Sequence, residues 1–179
     1  MQNVLSDSSA RFQLRSETVN IIHTRIDDRL IHGQVVVIWS KLIRYDVLLV
    51  VDDVSATNQM MKSVLMMAAP SGYRTVIATL DEAVRMLNDD AYAASNVFLI
   101  VKSFDVARKL IDGGFSISSI NLGNLGGKPG ARQLNRSTYL TQSDIDAVKE
   151  LSSRGIRLTN QMVPNDRETN LLEDVKKLG

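Results

Sequence analysis

The chain has 179 residues, of which 44% are hydrophobic and 23% charged, and a formal net charge of +1. That length suits one compact domain, and the composition excludes both a disordered polyelectrolyte and a globally basic nucleic-acid binder. The absence of cysteine removes disulfides, thiolate metal sites and cysteine nucleophiles together, and points to the cytoplasm.

Met1 to Thr18 is polar, rich in Ser and Arg, and lacks the apolar run of a secretory signal. It reads as a disordered tail or linker, with residues 19–179 forming a single domain. From residue 19 onward, short β-branched runs alternate with segments of helical periodicity. Strands are predicted at Val19 to Thr24, Asp46 to Val51, Arg74 to Ala78, Asn96 to Val101, Ser118 to Leu122 and Arg157 to Met162. Each is continuously apolar rather than alternating, as strands covered on both faces are. Helices are predicted between them at Ile31 to Leu42, Asn58 to Ala69, Leu80 to Leu87, Asp105 to Asp112 and Gln142 to Arg154, with a last one at Glu168 to Leu178. Thr141 and Asp144 fit a capping box, while Gly113, Gly114 and Gly155 sit at helix stops. The glycine-rich stretch Gly123 to Arg136 reads as a loop, followed by a short strand at Ser137 to Leu140. The longest apolar runs, Val35 to Trp39 and Val47 to Val51, fall well short of the roughly 20 residues that a membrane-spanning helix needs. The pattern predicts an α/β fold: an open, twisted, mostly parallel β-sheet with helices on both faces. In such folds ligands gather beyond the carboxyl ends of the strands.

The densest chemistry lies after the first strand, in Arg25-Ile26-Asp27-Asp28-Arg29-Leu30-Ile31-His32-Gly33-Gln34. Imidazole near its ordinary pKa is largely neutral at pH 7, so His32 offers a lone pair able to attack phosphorus, and the phosphoramidate formed remains a good donor. Arg25 and Arg29 supply cationic forks for phosphoryl oxygens, while Gly33 and Gln34 supply backbone N–H groups at a helix start. Two bare carboxylates would repel phosphate. Asp27 and Asp28 are therefore assigned to holding the loop in shape. A lone histidine in an α/β domain is usually structural, and His23, inside the first strand, is read that way. Charge around His32 at a strand end reverses those odds.

The run Arg25 to Val35 strongly resembles the signature of the enzyme IIB subunits of the mannose, fructose and sorbose branch of the bacterial phosphoenolpyruvate-dependent sugar phosphotransferase system. The similarity continues through Val50-Val51-Asp52-Asp53, Ala69-Pro70-Ser71-Gly72, Gly113-Gly114, Asn121-Leu122-Gly123-Asn124 and the Gly155 region, covering roughly residues 20–178. The resemblance implies a protein-N(pi)-phosphohistidine-sugar phosphotransferase. In it His32 takes a phosphoryl group, on Nδ1, from phosphohistidine of a IIA protein or domain, and passes it to a sugar translocated by the membrane subunits IIC and IID. It implies no metal and no organic cofactor, no nucleic acid, and a cytoplasmic chain held peripherally at the inner face of the membrane through IIC and IID. The sequence leaves the sugar and a homo-oligomer open. Two rivals fit the residue types: a regulatory module that binds a phosphorylated ligand without catalysis, and a metal-dependent hydrolase using Asp27, Asp28 and His32.

The loop Pro70-Ser71-Gly72-Tyr73 is read either as a plain turn or as N–H groups completing a phosphoryl cradle. Placement near the histidine in the family favours a supporting role for Ser71 and Gly72. Asn121 to Gly127 does not match the spacing of a dinucleotide fingerprint and reads as a rim loop or interface segment. Met60, Met61, Met66 and Met67 suit core packing or an adaptable docking surface. Lys41, Arg44, Lys62 and Arg74 are candidates for a positive rim, with scattered solvated charge as the plainer reading.

Overall fold

A computed structural model describes residues 19–86 and 89–178. The expected tail Met1 to Thr18 lies outside the described residues, as do Leu87 and Gly179. In chain order the elements are β1 (Asn20–Asp27), α1 (Gly33–Ser40), β2 (Val47–Val51), α2 (Asp53–Thr57), α3 (Gln59–Ala68), β3 (Arg74–Ala78), α4 (Leu80–Met86) and a 3-10 turn at Asp90–Tyr92. They continue with β4 (Asn96–Val101), α5 (Phe104–Asp112), β5 (Ser119–Asn124), β6 (Arg132–Gln133), β7 (Tyr139–Leu140), α6 (Gln142–Ser153), β8 (Arg157–Asn160), β9 (Thr169–Asn170) and α7 (Leu171–Lys176).

Seven strands form one sheet in the order β3-β2-β4-β1-β5-β8-β9, parallel except for β9, and β6 pairs with β7 in a small antiparallel ribbon. The continuous apolar runs follow from that layering. In β2, Val47, Leu49 and Val51 enter one core while Leu48 and Val50 enter the other; in β4, Val97, Leu99 and Val101 oppose Phe98 and Ile100. The first core is covered by α4, α5, α6 and α7. The second lies under α1, through Val35, Val36 and Trp39, and under α3, through the partly buried Leu65 and Ala68.

Chain direction creates the crevice. β1 and β4 are neighbours, yet the chain leaves β1 through α1 towards β2 and leaves β4 through α5 towards β5, on the opposite face. The loops after β1 and β4 therefore diverge, which is the topological switch point at which open α/β sheets hold their ligands.

Register corrects one site expectation. Arg74, Val47, Val97 and Ile21 lie level at the amino edge of the sheet, whereas Ala78, Val51, Val101 and Ile26 lie level at the carboxyl edge. The turn preceding β3 is thus at the edge opposite His32, and Ser71 shares a cleft with Ser40, Lys41 and Tyr73 at the far end of α1. Ser71 and Gly72 form no part of a cradle around the histidine. The loop sits beneath the strand it feeds. Lys41, Arg44 and Arg74 belong to the same far edge, where Arg74 lies over the Tyr92 ring and donates to the carbonyl of Ala91.

Candidate active site

The segment after β1 is anchored by its apolar residues and exposes its polar ones. Leu30 and Ile31 are buried in the core beneath α1, His32 and Gly33 are exposed, and Val35 and Val36 are buried again. Leu30 takes a left-handed conformation, φ 59°, to close a turn in which its N–H donates to the carbonyl of Asp27 at 3.0 Å. An apolar residue tolerates that conformation only where packing holds it. Leu30 buries its side chain and so pins the turn.

His32 is the N-cap residue of α1. Its carbonyl accepts from Val35 N–H at 2.9 Å, while its imidazole makes no capping bond. The ring is left to solvent at the positive end of the helix, beside the backbone of Gly33 and Gln34 in the first turn. A Cβ added at Gly33 would meet nothing within 4 Å, so the approach to His32 is open on that side.

Asp27 and Asp28 hold this loop in different ways. The Asp27 carboxylate accepts from Arg25 Nη2 at 3.0 Å, from Arg29 Nε at 3.0 Å, from Arg29 Nη2 at 3.2 Å and from Arg29 N–H at 3.2 Å. Asp28 accepts from the Asn124 amide at 2.6 Å and from Gly126 N–H at 2.6 Å. Both carboxylates are turned into the protein. The hydrolase reading is left without a ligand set, for among the described residues no three His, Asp or Glu side chains stand together.

The two arginines separate. Arg29 is one-third exposed, and its bonds to Asp27 hold its proton more firmly than usual. Its Nη1 has no protein partner among the described residues. Arg25 is only 1% exposed, donates to Asn121 Oδ1 at 2.6 Å and to the Gln161 carbonyl at 3.2 Å, and lies 5.6 Å from the Trp39 ring. Burial lowers its pKa from the ordinary arginine value, with Asp27 opposing the shift. The direct contact with phosphoryl oxygens expected of Arg25 is ruled out by that depth. Arg25 instead supports Asp27, which fixes Arg29.

Three further groups stand at the site without having been assigned a role in it from sequence. Lys102, the first residue after β4, lines a groove of about 310 Å³ together with Asp28 and Arg29, and its Nζ stands 3.9 Å from Asp52 Oδ2. Its place directly beyond a strand's carboxyl end was the available clue. Asp52 caps α2 by accepting from Ser55 N–H and Oγ, and Ser103 caps α5, so the N-terminal ends of α1, α2 and α5 meet at this edge. The third group is Asn121 to Gly126, read from sequence as a rim: it binds Arg25 and Asp28, and a Cβ at Gly123 would overlap the Arg25 guanidinium.

His23 lies under α1 as a structural ring, stacked on Trp39 at 4.9 Å and edge-on to Phe98 at 5.1 Å. Burial, reinforced by Arg25, lowers its pKa to about 4.

Comparison with known proteins converges on one group. A sequence model of the PTS system sorbose subfamily IIB component family matches residues 21–178. The sorbose-specific EIIB component of Klebsiella pneumoniae is 30% identical over 159 residues, covering 89% of this chain and 97% of that one. The mannose-specific EIIAB component of Escherichia coli (strain K12) is 32% identical over 154 residues, covering 86% of this chain and 48% of the relative, so the chain spans about half the length of such relatives. Among solved structures, the IIBSor domain of the sorbose permease from Klebsiella pneumoniae superposes with a TM-score of 0.85 at 29% identity, covering 89% of this chain and 98% of that one.

Proposed function

The chain belongs to the sorbose subfamily of phosphotransferase-system IIB components, and on that footing we propose that it is the phosphoryl carrier of a sugar uptake system, loaded on His32 by a IIA protein. The observation that carries this reading is an exposed imidazole that makes no capping bond, on the same loop as an arginine that Asp27 fixes three residues before it. In the first transfer the lone pair of neutral His32 attacks the phosphohistidine phosphorus of IIA in line. The P–N bond to the donor imidazole breaks, and its electron pair returns to the donor ring, which takes up a proton as the newly phosphorylated His32 ring releases the one on its other nitrogen. Arg29, Lys102 and the N–H groups of Gly33 and Gln34 stabilise charge on the equatorial oxygens. In the second transfer a sugar hydroxyl, delivered by the membrane subunits IIC and IID, attacks the same phosphorus, the P–N bond to His32 breaks with its electron pair returning to the ring, and the proton released by the hydroxyl restores the neutral imidazole. The chain thus acts as a protein-N(pi)-phosphohistidine-sugar phosphotransferase at the cytoplasmic face of the membrane, held there by IIC and IID. No helix among the described residues is long and apolar enough to cross a membrane, which accords with a peripheral place.

The test is mass spectrometry of the chain after incubation with phosphoenolpyruvate, the general phosphotransferase proteins and IIA. One acid-labile, base-stable phosphoryl group on His32 is expected, and none on His32→Ala. A complete donor chain that leaves His32 unmodified overturns the reading.

A further inference from the structure

Helix α3 is apolar on the side that faces away from its own protein. Leu65 and Ala68 pack inward against the core, Met61 lines the groove at 37% exposure, and the outward row is Met60, Val64 and Met67, exposed by 78%, 55% and 82%. No residue of α3 is buried, and Val54 of the adjoining α2 adds a further exposed apolar side chain. A surface helix of a lone domain ordinarily turns polar residues to solvent, and a contiguous apolar surface marks an interaction site. Methionine suits such a surface because its unbranched side chain adapts to what it meets.

The position of this face identifies what covers it. Both α1 and α3 pack on the same face of the sheet, and both begin at its carboxyl edge. The first turn of α3 therefore stands beside the loop that presents His32. The groove between them is continuous: Met60, Met61, Val64 and Leu65 line one side, and Leu30, Arg29, Asp28 and Lys102 the other. A protein that brings a phosphohistidine onto His32 must close over this edge. Its nearest extended apolar footing is α3, and the exposed cations Arg29 and Lys102 favour an acidic margin on it.

We propose that the Met60, Val64 and Met67 face of α3, with the groove beside Arg29 and Lys102, is the docking surface for the phosphoryl-donating IIA protein; this rests on the carrier reading above. The partner's chemistry follows: an aliphatic ridge flanked by carboxylates, seated on α3 while its histidine faces His32. The mannose-specific relatives, of which this chain spans about half, are named EIIAB, which accords with a donor held close to this unit.

The experiment compares the unaltered chain with Met67→Glu, which lies outside the groove shared with Arg29 and Lys102, and with Leu42→Glu. Leu42 is 65% exposed at the end of α1 remote from His32, and controls for added charge alone. Rates of His32 labelling are measured with two donors, the phosphorylated IIA of the same organism and phosphoramidate, which needs no docking. The expected result is a KM for phosphorylated IIA raised about ten-fold or more in Met67→Glu, with labelling by phosphoramidate unchanged and Leu42→Glu matching the unaltered chain. An unchanged KM, or an equal rise in Leu42→Glu, overturns the proposal. A defect confined to sugar phosphorylation in membranes carrying IIC and IID, with normal loading from IIA, overturns it in favour of a permease-facing surface. If neither donor labels His32 in the unaltered chain, the carrier reading fails and this proposal falls with it; loss of docking alone leaves the phosphoramidate arm intact.

Discussion

Removing the Arg25 guanidinium leaves the Asp27 carboxylate, itself 1% exposed, short of a buried cationic partner, and Asn121 short of its donor. Breaking a buried pair in that way costs about 3–5 kcal/mol. Arg25→Ala is therefore expected to shift the denaturant midpoint strongly. Arg29→Ala removes a pair that solvent already screens, so it should change stability by about 1 kcal/mol or less while slowing His32 labelling about 100-fold. A stability loss in Arg29→Ala equal to that of Arg25→Ala would contradict the division of roles. His23 supplies a pH test. Its folded pKa, lowered to about 4, lies below the ordinary 6.5, so the unfolded chain binds the proton more readily and stability rises with pH across that interval. The contribution is complete above pH 6.5 and declines as pH falls towards 4, with a loss of about 2 kcal/mol already at pH 5. His23→Phe removes the titration and keeps the ring contacts with Trp39 and Phe98, and the buried Nε2 has no partner to lose. Denaturation midpoints at pH 7 and pH 5 should therefore converge in that variant relative to the unaltered chain. The sequence revealed which groups gather around His32, because they are contiguous, but not their depth. Arg25 was read as a loop residue because the first strand was ended at Thr24, whereas β1 runs on to Asp27. An arginine does not look like strand interior until Asp27 is seen to neutralise it and Asn121 to accept its hydrogen bond.

Among the elements, β5 and the loop that follows it hold the residues on which the His32 loop rests. Asn121 holds Arg25, Gly123 leaves the volume that its guanidinium fills, and Asn124 with Gly126 holds Asp28. A methyl group at Gly123 has no room unless Arg25 moves, so Gly123→Ala should destabilise by about 1–3 kcal/mol and lower the labelling rate together. A fully active, fully stable Gly123→Ala variant would show that Arg25 does not support the loop. From sequence this segment reads as the end of a strand and a rim loop or interface segment, without its partners, since the groups it serves lie about 100 residues earlier. Elements with local signals were read more closely. β3 and β4 have the predicted limits, and α6 starts at the predicted capping box, with Thr141 and Asp144 bonded reciprocally. Other limits depend on partners distant in sequence. The last helix is shorter than its periodicity suggests because Thr169 and Asn170 pair with β8, after which Asn170 caps α7. The five-residue α2 is too short for a periodic pattern, though the Asp52 cap that starts it was visible as an acidic residue after a strand.

The sheet as a whole sends to opposite edges residues that share one family's sequence motifs. Alternating strands and helices made the parallel architecture legible, but strand order comes from which neighbours pair, and only that order shows which loops share an edge. The N–H groups of the loop at Ser71 and Gly72 suit a phosphoryl cradle, and the family's usual placement of this loop favours one near His32. Topology puts them at the opposite end of α1, roughly 12 Å away along an eight-residue helix. Lys102, with no motif around it, is brought to the crevice because β4 is inserted beside β1. The two edges therefore make opposite predictions. Ser71→Ala should leave the rate of His32 labelling within about two-fold of the unaltered chain, because a hydroxyl at that distance makes no contact with a phosphoryl group. Gly72 adopts φ 87°, so Gly72→Ala should cost about 1 kcal/mol of stability, also with labelling unchanged. Lys102→Ala removes a half-exposed cation at the crevice, so its stability should change little while the labelling rate falls about ten-fold or more. Parallel single-turnover labelling and denaturant titration of the three variants separate the edges. A labelling defect in Ser71→Ala with normal stability would mean that the amino edge contributes to transfer, and would require the loop before β3 to reach across the length of α1.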